Sequence, residues 1–182
     1  MNKPVSDNDS PDLPTREDIE EAYKWDLSDI YSDWDAWEAD FERIRALMDD
    51  LVEMKGTLTD GPEQLLEAYE LNDDIGRLSY KLYRFPQLNY DTDQRNNELQ
   101  AKLQRVQQLF AEFGTKTAWF EPEILTIDEE LVMEWVDETP ELEPYRFPIS
   151  EIYRQREHRL DEDGEKLLSY GSRFNSTPRE TY

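Results

Sequence analysis

Large apolar residues recur at Trp34, Trp37, Phe41, Ile44, Met48, Leu51 and Met54, three or four positions apart. That is the period of one helix face, and it predicts a helix with a narrow apolar seam. Ser32 and Asp33 are good N-caps, and Lys55-Gly56 closes the segment with a cation and a left-handed cap. Asp60-Gly61-Pro62 opens a second helix, with Leu65, Leu66, Tyr69, Ile75, Leu78, Leu82 and Phe85 on its buried face. Gly76 sits inside this pattern, as where another helix comes close, and Pro86 is expected to kink or end the helix. Asn89 to Asp93 has the composition of a turn. A third helix then carries Leu99, Leu103, Val106, Phe110, Phe113 and Phe120. Three such segments with short connections predict antiparallel helices packed like a coiled coil.

The flanks differ from this arm. Residues 1–13 are polar and rich in Asp, Ser, Asn and Pro, which predicts a disordered acidic tail. Tyr23 to Tyr31 lacks a clear period and reads as an extended segment laid on the core, with Trp25 and Leu27 as buried anchors. After Phe120 the pieces are short. Glu121-Pro122-Glu123 starts a brief helix, and Thr126 caps another with Leu131, Val132, Trp135 and Val136 inward. Thr139-Pro140 ends that helix, and Glu143 to Glu157 reads as a further one with Pro148 as an irregularity. Asp161 caps a last helix that holds Leu167 and Leu168 and stops near Gly171. No segment reads as a strand. The expected fold is all-α: a disordered acidic tail over 1–13, a long antiparallel helical arm over 14–120 and a smaller helical subdomain over 121–182. Thr177, Pro178 and Glu180 form a capping box for one more helix, so the subdomain is expected to be truncated at its carboxy end.

Charge changes the picture of partners. The chain carries 44 acidic and 20 basic residues, a net charge of −24. Such a field repels phosphate backbones and anionic lipid, so neither nucleic acid nor membrane is an expected partner. Arg outnumbers Lys by 13 to 7, and the acids are dispersed from Asp7 to Glu180. A dispersed acidic excess with little Lys suits a cytoplasm at molar salt, so a halophilic, cytoplasmic origin is expected. No apolar run is long enough for a membrane span, and no signal peptide is expected.

Candidate chemistry is sparse. With no cysteine, a disulfide scaffold, a thiolate zinc site and a cysteine nucleophile are all excluded. The single histidine, His158, cannot build a two-histidine zinc site from this chain alone. It lies at an expected helix end, where a histidine interacts favourably with the helix dipole. Glu129/Glu130 and Asp161/Glu162/Asp163 match no calcium-loop spacing and read as solvated helix starts. No glycine-rich phosphate loop and no serine elbow occurs. The residues alone describe an acidic helical module with no catalytic, cofactor-binding or metal-binding residue.

The order of several short motifs is nevertheless informative. Tyr23-Lys24-Trp25-Asp26-Leu27-Ser28-Asp29-Ile30-Tyr31, an acidic gap and Trp37 open the series. Tyr90-Asp91-Thr92-Asp93, Phe120-Glu121-Pro122-Glu123-Ile124-Leu125 and Tyr145-Arg146-Phe147 follow, the last leading to Ile152, Arg154 and His158-Arg159-Leu160. Gly164-Glu165-Lys166-Leu167-Leu168-Ser169 completes it. Together they resemble the amino-terminal region of oligoendopeptidase F, a family of thimet-oligopeptidase-like zinc metallopeptidases, over about residues 15–182. The resemblance implies an all-helical portion that walls the peptide-binding cavity of a larger catalytic domain. That domain would carry zinc on an H-E-x-x-H helix, with the motif's glutamate as general base. None of those residues is here, and His158-Arg159-Leu160-Asp161-Glu162 does not fit the motif. Pro148 departs from a segment that is usually an uninterrupted helix in the family.

Two functions follow. In one, the chain is the amino-terminal part of a zinc oligoendopeptidase, inactive alone. Its partners would be the catalytic domain and, in the full-length enzyme, oligopeptide substrates. Its truncated end, around Tyr145, Phe147, Ile152, Tyr153 and Phe174, would be bare enough to self-associate. In the other, it is a free-standing acidic helical binding protein without enzymatic activity. In either case charge −24 on a small fold should make helicity salt-dependent. At about 1 M salt the Debye length is about 3 Å and self-repulsion is screened. Circular dichroism against potassium chloride should show an expanded or unfolded chain in dilute buffer and a helical one near molar salt; a full helical signal at low salt would contradict the halophile argument.

Overall fold

The structure, a computed structural model, describes residues 18–156 and 160–171. Within them there is no strand, and seven α-helices follow one another. Helix α1 (Trp34–Glu53) begins where the Asp33 carboxylate accepts the Ala36 N–H at 2.8 Å. It buries Trp37, Phe41, Ile44, Met48 and Leu51, the seam set by the sequence period. It ends at a turn in which Gly56 takes φ 91°, a left-handed conformation that a Cβ would disfavour. Helix α2 (Pro62–Thr92) starts with proline at its first position, where no N–H is needed. Helix α3 (Asn97–Lys116) is capped by the Asn96 side chain, which accepts the Glu98 and Leu99 N–H groups at 3.0 and 3.2 Å. Helix α2 is central, packing against α1 on one side and α3 on the other.

Pro86 neither ends α2 nor interrupts its course; the helix runs on to Thr92. Proline has no N–H to give to the carbonyl of Leu82, four residues earlier. That buried carbonyl instead accepts the Trp37 indole N–H, at 2.9 Å, from α1. The lost helical bond is thus replaced by a bond between helices. Beyond it, the Asn89 side-chain amide donates to the Phe85 carbonyl at 2.8 Å, and the expected turn at Asn89 to Asp93 is helix up to Thr92.

Aromatic rings gather around this bond. Trp34 lies 4.6 Å from Phe85 and 5.7 Å from Trp37, centroid to centroid, and Tyr31 meets Phe85 edge-on at 5.4 Å. Two cations of α3 lie over them. Lys102 sits 4.6 Å from the Trp34 ring, and the Arg105 guanidinium 4.5 Å from that of Phe41. Arg105 also donates to both Glu38 oxygens, at 2.6 and 2.8 Å, and holds that carboxyl below the usual range. Cations over rings with a forked carboxylate partner tie α3 to α1 without burying an unpaired charge.

The remaining elements are α4 (Phe120–Ile124), α5 (Glu129–Glu138), a 3-10 turn (Pro140–Tyr145), α6 (Arg146–Arg154) and α7 (Glu162–Gly171). Two polar contacts fix them. The Glu123 carboxylate accepts the N–H groups of Gly56 and Leu58, at 2.8 and 2.9 Å, in the α1–α2 turn. The buried Tyr153 hydroxyl lies 2.9 and 3.0 Å from the carbonyls of Ile124 and Ile127. Val132, Val136, Leu142, Ile149 and Ile152 complete the core on this side.

Several expectations are corrected. Trp25 is 62% exposed and Leu27 only half-buried; Tyr31 is the buried anchor of that segment. A short 3-10 turn at Glu21–Tyr23 and a hydrogen-bonded turn at Leu27–Tyr31 point these side chains differently from an extended strand. A Cβ on Gly76 would meet nothing within 4 Å, so no helix approaches it. The α3 seam buries Val106 and Leu109, leaves Leu99, Leu103, Phe110 and Phe113 half-exposed, and stops before Phe120, which belongs to α4. Asp128, not Thr126, caps α5, and Leu131 faces solvent at its start. The helix expected from Glu143 begins at Arg146, which makes Pro148 its third residue, where no helical N–H is required. His158 and the Thr177 capping box lie outside the described residues.

Two measurements test this frame. Trp37→Phe should cost about 1–3 kcal/mol by orphaning the Leu82 carbonyl, beyond any loss of packing. In a Pro86→Ala background residue 86 regains an N–H, and the same change should cost less; additive effects in a urea double-mutant cycle would contradict the replacement. Burial, helped by the Glu129 and Asp128 carboxylates, pushes the Tyr153 phenol up to about 12 from an ordinary 10.0. The unfolded chain therefore loses this proton first. The contribution is whole below pH 10 and should disappear as pH rises towards about 12. Tyr31 and Tyr69, also raised by burial, add to the same alkaline fall. Tyr153→Phe should lower stability at pH 7 by about 1–2 kcal/mol and flatten the alkaline limb of a pH series of urea titrations.

Candidate functional site

Where α2, α3, α4, α6 and α7 approach one another they leave an open groove of about 750 Å³. Its apolar walls are Tyr69 of α2, Phe120 and Pro122 of α4, Phe147 and Ile152 of α6 and Leu168 of α7. Each wall has a local reason. Tyr69 and Phe120 meet edge-on at 5.4 Å, and Tyr145 stacks on Tyr69 at 4.7 Å, placed by its hydroxyl donating to Asp73 at 2.9 Å. Starting α6 at Arg146 puts Phe147 in the first turn, turned outward and 74% exposed, while Ile152 faces the core. Asp161 caps the start of α7 by accepting the Gly164 N–H at 2.9 Å. A 3.0 Å contact between the Thr115 and Ser169 hydroxyls then sets α7 beside α3. Leu168 is left 61% exposed at the rim.

The groove's polar lining is mixed: Asn72, Thr117, Gln155 and Ser169 can donate or accept, and its charged groups among the described residues are the carboxylates Glu121 and Glu151. Arg154 pairs with Glu151 and holds its carboxyl below the usual range. The Tyr69 hydroxyl differs from these groups in its burial. It is buried, it belongs to a groove-lining residue, and it has no hydrogen-bond partner. Burial first, and the Glu121 carboxylate second, raise this phenol, so it stays a neutral donor. The Trp119 indole N–H is likewise buried without a partner, but Trp119 does not line the groove. A smaller hollow of about 280 Å³ between α1 and α2 holds Asp40, Arg43, Asp74 and Arg77, whose charges pair within it.

Among the described residues no three His, Cys, Asp or Glu side chains converge. Glu129 and Glu130 lie in the first turn of α5, and Asp161 caps α7; they are helix starts. With one histidine and no cysteine in the whole chain, the residues present do not fit a zinc site of the H-E-x-x-H kind. Also among the described residues, no helix is long and apolar enough to cross a membrane. What the groove offers is a surface: apolar walls, carboxylates and neutral polar groups, and one buried hydroxyl without a partner. Sequence reasoning expected a bare face at Tyr145, Phe147, Ile152 and Tyr153, but only Phe147 is exposed: Ile152 and Tyr153 are buried in the core and Tyr145 is half-buried against Tyr69. It did not foresee the groove, because Tyr69, Phe120 and Leu168 are brought together only by the fold. An orphaned hydroxyl has no signature in the sequence.

Comparison with known proteins gives these features a setting. A family model described as Oligopeptidase F matches residues 123–182, which contain α5, α6 and α7. The chain is 30% identical over 170 residues to "Oligopeptidase PepF" of Bacillus subtilis (strain 168), covering 93% of this chain and 25% of that protein. It is 31% identical over 168 residues to "Oligoendopeptidase F, plasmid" of Lactococcus lactis subsp. cremoris, covering 92% of this chain and 28% of the relative. The crystal structure of oligoendopeptidase-F from Enterococcus faecium superposes with a TM-score of 0.69 at 29% identity, over 78% of this chain and 28% of that one. A putative peptidase from Chlamydophila abortus superposes at 0.67 and 27% identity, over 90% of this chain and 28% of that one. The chain thus spans about a quarter of the length of the relatives it matches. Sequence and all-helical fold agree over nearly all of it, and this chain is a homologue of the amino-terminal region of the oligoendopeptidase F family.

Proposed function

We propose that this chain serves as the amino-terminal helical portion of a zinc-dependent oligoendopeptidase. In that role it walls the cavity in which a separate catalytic domain hydrolyses short peptides. One observation carries the reading: similarity extends over 93% of this chain but only 25% of the Bacillus subtilis relative, named as an oligopeptidase. Three-quarters of such an enzyme must then supply what is missing here. When bound in that remainder, zinc would polarise the peptide carbonyl and activate water. The contribution of this chain is steric and positional. A frame locked by Trp37, Glu123 and Tyr153 resists unfolding, as a wall must, and its acidic surface disfavours anionic polymers. The division into an arm over 14–120 and a smaller subdomain over 121–182 belongs to this proposal. So does a cytoplasmic, salt-adapted setting, supported by the −24 charge and the dispersed acids.

The test is an exchange. The purified chain with added zinc should give no chelator-sensitive hydrolysis of a quenched oligopeptide. Bacillus subtilis Oligopeptidase PepF in which this chain replaces the matched quarter should hydrolyse it, and the same enzyme lacking that quarter should lose at least about tenfold in rate. An inactive exchange protein would contradict the reading and favour a free-standing binding protein, and activity of the isolated chain would contradict both.

A further inference from the structure

We propose that the outer face of α2 between Asp73 and Arg84 is a contact surface for a second copy of this chain, the two paired antiparallel about a two-fold axis at the level of Leu78. This face stands apart in charge. About one residue in four of the chain is acidic, yet residues 75–90 hold Arg77, Lys81 and Arg84 and no acid. With Asp73 and Asp74 included, the strip carries a net charge of +1 in a chain of −24. Contact here avoids setting acid against acid.

The strip is also exposed and incompletely partnered. Tyr80 is 63% exposed. The Arg84 guanidinium lies 5.1 and 5.8 Å from the Tyr80 and Tyr83 rings and donates to Gln87 at 2.9 Å, and Lys81 lies 4.9 Å from the Tyr31 ring. Among the described residues neither cation has a carboxylate partner. Beside them Gly76 is exposed, and a Cβ there would stand in open space, so the helix surface has a notch that nothing in this copy fills. Tyrosine and arginine are among the residues that dominate protein contacts.

The occupant follows from the order of these residues. Asp73, Gly76, Tyr80 and Arg84 are spaced three or four apart and share one helix face, with Asp74, Arg77 and Lys81 along its flank. An antiparallel copy presents the same series reversed. Gly76 and Tyr80 lie two residues to either side of Leu78, so each Tyr80 ring enters the other copy's notch. Asp73 and Arg84 lie five and six residues to either side, and Asp74 and Lys81 four and three, so each of these acids meets a cation of the second copy. The Tyr145 hydroxyl, donating to Asp73, holds that carboxylate at the edge of the strip, and Arg77, nearest the axis, keeps its own Asp74. One register matches notch, ring and both cations twice over, as a two-fold contact requires. An unrelated acidic partner would answer the cations but give this self-matching order no purpose. The contact spans about three helical turns, so the pair is a weak one.

Sedimentation equilibrium of the chain in about 1 M potassium chloride, where the Debye length of about 3 Å removes long-range repulsion, should show a monomer–dimer equilibrium as concentration rises. Gly76→Gln should weaken the dimer at least about tenfold, while the thermal melt stays or rises, because the position is open and glutamine favours helix over glycine. Asp73→Arg sets arginine against arginine across the axis, and Arg84→Asp sets aspartate against aspartate, so each variant alone should be monomeric. An equimolar mixture of the two restores both oppositely charged contacts and should associate at least about tenfold more tightly than either variant. A chain that stays monomeric throughout, a dimer indifferent to Gly76→Gln, or a mixture no tighter than its components would overturn the assignment. So would a dimer abolished by Phe147→Glu alone, which would move the contact to the groove. A monomeric chain that binds a polyglutamate peptide through Arg84 would give the strip to an acidic partner instead.

Discussion

The hydrogen bond from the Trp37 indole to the Leu82 carbonyl is the contact on which the helical arm depends. Pro86 makes it necessary. Inside a helix, proline withholds a donor from the carbonyl four residues earlier, and a buried carbonyl without a partner costs about 1–3 kcal/mol. Here the donor comes from the neighbouring helix, so a local defect in α2 becomes a link that sets how α1 lies against it. Trp34, Phe85 and Tyr31 pack around this link, and Lys102 and Arg105 then bring α3 onto the same aromatic surface. One missing N–H organises three helices.

The second half of the molecule is hung from the first by a different device. Glu123 reaches back to two N–H groups of the α1–α2 turn, and the Tyr153 hydroxyl meets the carbonyls of Ile124 at the end of α4 and of Ile127 in the α4–α5 link. A carboxylate and a phenol therefore do what a larger apolar core would do in a less acidic protein. Two buried donors are left without partners, the Trp119 indole N–H in the core and the Tyr69 hydroxyl of the groove, whose lining also holds the exposed Phe147 and Leu168.

Much of the frame was legible in the sequence. The three- and four-residue period from Trp37 to Leu51 matches the buried face of α1 position for position. Asp33, Gly56 and Pro62 mark helix ends for the physical reasons that favour them there. The ordered short motifs carried the family resemblance, because they include the helix starts, turns and anchors of the fold. Pro86 was misread because the donor that compensates for it lies 45 residues from the carbonyl in sequence. Trp25 was misread because a dense aromatic cluster looks like core, while a local turn decides that Tyr31 alone is buried. The groove had no local signal, since its lining comes from five helices.

The most direct test of this account is the exchange rate of the Trp37 indole proton, followed by nuclear magnetic resonance in deuterated solvent. A proton held by the Leu82 carbonyl in the core should exchange as slowly as the buried backbone amides of α1 around Ile44 and Met48, and far more slowly than the exposed Trp25 indole. Exchange of Trp37 as fast as that of Trp25 would mean that the bond does not hold α1 to α2, and the account of the fold would fail with it.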